Sequence, residues 1–301
     1  MQISRLLIII TVSALYLFVS GGKTIAAPIP PEVKSVVAFI FIEKESKLIP
    51  NGTAFFVGVK NPSDPNILNV CLVTAKHVLY KPNTTEFLDK VYIRLNKKGG
   101  GSEVGVIPIK TEGDKKTVFL HIDTSVDIAV IPFLPDQERF NFKVLPDDLI
   151  TTKDAYKDLK IREGSDVFFT GLFTPYLGAE KNFPVVRFGR VALITEEKIE
   201  WQGKLMDLYL IEAGSYGGNS GAPVFFYLGS DREPGSLVVG TPILKLAGVM
   251  QGTFLDVQEV KMIETKKTPI SLSNMGIAAV VPAYKLHEVL FSDELKEKRG
   301  F

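Results

Sequence analysis

Cysteine, histidine and tryptophan are scarce in this 301-residue chain, which has one Cys, three His and one Trp. A single cysteine, Cys71, excludes an intramolecular disulfide, so the fold must rest on its apolar core, which a chain of this length can build. Cys71 lies in the run Val70-Cys71-Leu72-Val73. It reads as a small buried hydrophobe rather than a nucleophile, because a reactive thiol needs electropositive, partly exposed surroundings. One Cys and three scattered His offer no zinc spacing, and no metal or other cofactor is expected. An excess of one charge is lacking as well: 35 Lys and Arg stand against 34 Asp and Glu, with no long basic run. A phosphate-binding surface needs clustered positive charge, so a nucleic-acid partner is not expected.

Long apolar runs are confined to the first residues. Arg5 precedes the apolar stretch Leu6–Val19, followed by small and polar residues and then Ala26-Ala27-Pro28. That order is the order of a secretory signal peptide, with cleavage expected near Ala27. A retained anchor is the other reading, although the stretch is short of the roughly 20 residues that span a bilayer comfortably. Removing residues 1–27 takes away Arg5 and Lys23 and no acid, which leaves a net charge of −1. The mature chain is then a soluble periplasmic or secreted protein.

What remains is strand-rich. Val36–Glu43, Thr53–Val59, Val70–Thr74, Val91–Leu95, Val104–Ile109, Thr117–Ile122 and Ile128–Pro132 are dense in β-branched and aromatic residues, and turn-forming Gly, Asn and Pro separate them. The charged connection 136–163 leads to a second set: Asp166–Gly171, Val185–Thr195, Leu208–Glu212, Ala222–Tyr227, Leu246–Gly252 and Met275–Val281. The expected architecture is all-β, two barrels packed together, one over residues 28–150 and one over 151–301. Residues 228–245 and 255–270 read as surface insertions. In Ala283–Lys298 the apolar period lengthens, which predicts a C-terminal amphipathic helix.

Three residues carry the chemistry. Of the histidines, His287 falls in the terminal helix and reads as surface, and His121, inside a strand pattern, reads as structural. His77 follows a buried strand through Thr74-Ala75-Lys76, which suits either the rim of a cleft or a cap. Gly217-Gly218-Asn219-Ser220-Gly221-Ala222-Pro223 packs three glycines around one serine. Such a loop is either a plain turn or one that aims two amide N–H groups at a single point. Asp127 enters the apolar run Ile128-Ala129-Val130-Ile131, where a carboxylate needs a partner such as a histidine N–H. Asp123 is its nearest competitor.

The order His, Asp, Ser is that of the chymotrypsin type. Thr74-Ala75-Lys76-His77, Asp127-Ile128-Ala129-Val130 and Gly218-Asn219-Ser220-Gly221-Ala222-Pro223 resemble the three motifs of the trypsin/chymotrypsin-like serine peptidases, bacterial exported branch (HtrA-like or glutamyl-endopeptidase-like, with no PDZ domain). Gly52-Thr53-Ala54-Phe55-Phe56, Leu246–Thr253 and Gly276–Pro282 are similar to flanking strands of that family, so the likeness runs from about Val36 to Leu290. It implies two six-stranded antiparallel barrels and a His77–Asp127–Ser220 triad acting through an acyl-enzyme on protein or peptide substrates. It further implies an oxyanion hole from the N–H groups of Gly218 and Ser220. The implied substrate pocket is walled by Gly214, Ser215, Tyr216 and Gly217 on one side and Met250, Gln251, Gly252 and Thr253 on the other. With no acid at Gly214, a Lys/Arg pocket is not expected, and a Glu-preferring or a small apolar pocket both stay open. Asn219 replaces the aspartate that animal members pair with a freed N-terminus, so activation by that ion pair is not expected. The other readings are a catalytically silent binding or adaptor module, a structural envelope protein, and an esterase built on the same triad.

Overall fold

The computed structural model describes residues 29–64, 66–229, 242–259 and 270–299. The leader expected at residues 1–27 and the middles of the two expected insertions lie outside the described residues.

Eight strands form the first half: β1 (Val37–Lys44), β2 (Lys47–Lys60), β3 (Leu68–Thr74), β4 (Lys90–Asn96), β5 (Ser102–Pro108), β6 (Phe119–Leu120), β7 (Ala129–Pro132) and β8 (Leu145–Pro146). They hydrogen-bond in the order β5-β4-β1-β2-β3-β7-β6, with β8 parallel to β2. The second half holds β9 (Asp166–Gly171), β10 (Val185–Leu193), a small hairpin of β11 (Ile199–Trp201) and β12 (Lys204–Met206), β13 (Tyr209–Glu212), β14 (Pro223–Leu228), β15 (Ile243–Glu259) and β16 (Ile270–Pro282). Six of these close a barrel in the order β10-β13-β16-β15-β14-β9. The all-β architecture is thus present, with one difference from the expected pair of six-stranded barrels. The first sheet is an open path, because β5 ends at Pro108 and β6 is only two residues long. Backbone N–H groups of Thr117 and Val118 donate to the Lys110 carbonyl at 2.8 and 3.0 Å and bridge the gap.

The near-continuous apolar runs follow from burial on both faces of these strands. Along β1, Ala38, Ile40 and Ile42 point into the first barrel, while Val37, Phe39 and Phe41 join a second cluster shared with the other half. In β9, Val167 and Phe169 fill the second barrel, and Phe168 faces outward onto the shared cluster. Side chains alternate faces along a strand, so a strand wedged between two cores must be apolar at every position. Phe168 stacks on Phe225 at a centroid distance of 5.0 Å in that shared layer, a contact that supplements area burial.

Two local expectations are corrected. Residues 255–259 and 270 are not insertion but the outer reach of the β15–β16 hairpin, paired from Leu255↔Asn274 to Glu259↔Ile270. Polar composition hid the pairing. The C-terminal helix is two: α2 (Ala283–Leu290) and α3 (Asp293–Arg299), preceded among the described residues by a short α1 at Lys153–Asp158. The break falls at Phe291-Ser292, where the Ser292 hydroxyl donates to the Val289 carbonyl at 2.8 Å and competes with the helical ladder. The Leu286, Val289, Leu290 and Leu295 side chains are buried as the period predicts.

Candidate active site

The site forms where β3 and β7 of the first half meet the turn before β14 of the second. Strand β3 delivers the chain into a 3-10 turn, Lys76–Leu79, whose Val78 and Leu79 are anchored in the core. That anchoring leaves His77 at the rim, its side chain 38% exposed. Asp127 precedes β7 between buried Val126 and Ile128 and is itself only 5% exposed. Its Oδ1 accepts the His77 backbone N–H at 2.8 Å, and its Oδ2 lies 2.5 Å from His77 Nδ1. A carboxylate only accepts, so the proton of the neutral imidazole sits on Nδ1 and leaves Nε2 free as a base. Asp123, the competitor, is elsewhere engaged: it accepts from the Ser125 N–H and hydroxyl and pairs with Lys198.

The electrostatics of the pair follow from burial and proximity. Burial pushes the Asp127 carboxyl up, but the His77 charge, its two hydrogen bonds and Lys76 outweigh this and hold it below its ordinary value. Burial likewise pulls His77 down, and the adjacent Asp127 carboxylate more than reverses it, so the imidazole is raised. Lys76 Nζ donates to the Thr124 and Val126 carbonyls at 2.7 and 3.1 Å, fastening the segment that carries Asp127.

Ser220 is held by Thr53, a β2 residue with no exposed surface. The Thr53 N–H donates to the Ser220 carbonyl at 2.9 Å. Its hydroxyl donates to the Gly218 carbonyl at 2.7 Å and accepts the Leu172 N–H at 2.9 Å. The Ser220 hydroxyl donates to the Gln251 carbonyl at 3.1 Å, and no hydrogen bond joins it to His77. Hydrogen bonds between such groups are often long or absent in unliganded sites. Gly218 and Gly221 have φ of 93° and 83°, values that glycine alone adopts freely. Among the described residues, the N–H groups of Gly218 and Ser220 meet no acceptor.

Asn219, 3% exposed, braces the loop from within. Its Oδ1 accepts the Tyr216 N–H at 2.9 Å and its Nδ2 donates to the Leu172 carbonyl at 2.7 Å. Ser215 is buried, and its carbonyl accepts Asn274 Nδ2. Tyr216, Gly214 and Gly217 are exposed, and a Cβ on Gly217 would meet nothing. Of the residues expected on the opposite wall, Met250 has its side chain in the barrel interior. Gln251 is 7% exposed. Gly252 is covered by Trp201, whose ring also meets Phe254 edge-on at 4.7 Å, and Thr253 donates to Asn274 Oδ1 and the Ile277 carbonyl.

Residue patterns alone missed Thr53, Trp201 and Asn274, whose partners are remote in the chain. His121 is structural as expected: its Nε2 lies 2.6 Å from Glu288 Oε2 and its Nδ1 accepts the Asp123 N–H. His287 is not simple surface, since it stacks on Phe291 at 4.3 Å. Cys71 is buried, and that burial raises its thiol, which suits packing and not nucleophilic attack.

No family model matches this chain, and no curated protein matches it. Among solved structures it is similar to the MamO protease domain from Magnetospirillum magneticum in its apo form (16% identity over 86% of this chain and 97% of that one, TM-score 0.48). It is also similar to Rv3671c from M. tuberculosis in an inactive Ser343Ala form (18% identity, 89% and 96% coverage, TM-score 0.41). A third is catalytically inactive tobacco etch virus protease complexed with substrate (13% identity, 89% and 88% coverage, TM-score 0.43).

Proposed function

We propose that this chain is an exported serine endopeptidase acting through His77, Asp127 and Ser220. The observation that carries the reading is the double engagement of one buried carboxylate with His77. Asp127 fixes both the backbone and Nδ1 of His77, and the Ser220 loop is bonded to Thr53 of β2, the strand paired with β3. His77 Nε2 takes the Ser220 proton as Oγ attacks a peptide carbonyl, and then protonates the leaving amine. Asp127 stabilises the imidazolium formed between these steps. The N–H groups of Gly218 and Ser220 receive the developing oxyanion, a contribution of about 3–4 kcal/mol per donor. Water then releases the acyl-enzyme by the same steps in reverse order. The protein substrate lies along β15, and export rests on the leader at residues 1–27.

The bond from Ser220 to the Gln251 carbonyl favours a second reading, a silent protease-fold module that binds without cleaving. A fluorophosphonate probe separates the two. The endopeptidase labels at Ser220 and loses labelling in Ser220→Ala, whereas an intact protein that never labels is the silent module. Digestion of a peptide library then distinguishes amide cleavage from an esterase.

A further inference from the structure

Gly214, the exposed glycine that opens the Gly214–Gly217 wall, is not next to empty space. A Cβ there would lie 3.6 Å from Nη1 of Arg187, a residue of β10. The Arg187 guanidinium sits 4.7 Å from the Tyr216 ring centroid and 5.3 Å from that of Phe173. Among the described residues no ion pair to Arg187 is formed, and its Nε is buried with no hydrogen-bond partner. Nearby Asn274 and Thr253 are polar but uncharged, and hydrogen-bond to one another and to the Ser215 and Ile277 carbonyls.

A guanidinium stacked on aromatic rings has its faces covered, yet its N–H groups point outward in its own plane, where they match the two oxygens of a carboxylate. An arginine serving only as a strut would be expected to find an internal carboxylate or carbonyl for those donors, because buried donors left unpaired are costly. We infer that Arg187 is the anion receptor of the pocket beside Gly214, and that the substrate side chain preceding the cleaved bond is acidic. The inference rests on the endopeptidase reading for the cleavage, though not for the binding. Tyr216 and Phe173 hold the guanidinium, and the absent side chain at Gly214 leaves the approach to it clear.

Two peptides differing only by Glu or Gln at that position test it. The Glu peptide should be cleaved with a kcat/KM about tenfold or more above the Gln peptide, the scale of a paired charge-assisted contact. In Arg187→Gln the ratio should fall to about one, and in Arg187→Lys it should be partly restored. In parallel, product-like peptides ending in Glu or Gln are titrated onto Ser220→Ala, with Trp201 fluorescence as the readout. Tighter binding of the Glu peptide, weakened by the Arg187→Gln change, supports the receptor even if the fluorophosphonate probe never labels the protein. Equal cleavage or equal binding of the two peptides by protein with native Arg187 overturns it, whatever the labelling shows. Because each readout is a ratio, a general loss of rate or stability in the variants does not imitate the effect.

Discussion

Thr53 and Ser220 are joined by a 2.9 Å hydrogen bond from the N–H of one to the carbonyl of the other, across the seam between the two halves. The same threonine fixes Gly218 and Leu172 through its hydroxyl. A residue of the first sheet therefore sets the backbone of the Ser220 turn. The proposed nucleophile is positioned by the half of the molecule that supplies its proposed base.

Thr53→Val preserves shape and deletes the hydroxyl, leaving the buried Gly218 carbonyl and Leu172 N–H without it. Each orphaned group costs about 1–3 kcal/mol. The expected result is a loss of about 2–6 kcal/mol in urea unfolding, together with a fall in the fluorophosphonate labelling rate. Unchanged stability would remove Thr53 from this role.

The His77–Asp127 pair fixes the sign of two pH profiles. Catalysis needs neutral His77, and its raised pKa places the acid limb of kcat/KM above 6.5. Asp127→Asn removes the charge that raises it and leaves the lowering effect of burial, so the limb should move below 6.5. The kcat should drop about 10⁴-fold, as in the serine-protease template for this change. Stability follows the same linkage. The raised His77 contributes fully below 6.5, a benefit lost as pH rises through its folded pKa. The lowered Asp127 contributes above 3.8, a benefit lost as pH falls through its folded pKa. The unfolding midpoint of the native chain should therefore gain most from the pair between 3.8 and 6.5, and Asp127→Asn should flatten that gain. An acid limb that stays in place after the substitution would contradict the assignment.

Two glycines of one loop should respond oppositely to alanine. At Gly221 a Cβ would lie 2.2 Å from the Thr53 carbonyl oxygen and 2.9 Å from the Ala75 nitrogen, at a φ of 83°. Left-handed strain and overpacking together cost about 3 kcal/mol or more. At Gly217 φ is not positive and the space is open. Thermal melts should show Gly221→Ala strongly destabilised and Gly217→Ala within a few degrees of the native chain.

The parts of this site legible in the sequence were those whose chemistry is local. A histidine just past an apolar strand, a carboxylate at the head of another and a serine ringed by glycines are each short local patterns, ambiguous singly and read together through their order. Thr53 was visible as part of Gly52-Thr53-Ala54-Phe55-Phe56, but its role depends on Gly218, 165 positions away. Trp201 lies in a charged, turn-like stretch whose short hairpin shows no long apolar alternation, and only Gly252 and Phe254 reveal what it covers. Arg187 alternates with apolar neighbours as any barrel residue does. The openness of the first sheet was likewise hidden, since closure depends on where β5 stops and not on which residues favour strands.

The two terminal helices end on the part of the molecule made first. Glu288 of α2 reaches His121, Glu294 of α3 reaches Lys116 at 2.6 Å, and Arg299 approaches Cys71. His121 in turn accepts the Asp123 N–H, so the last described helices brace the segment that leads into Asp127. Contacts between distant parts of the chain therefore hold the approach to that carboxylate. Loosening either helix should be felt at the Asp127 segment.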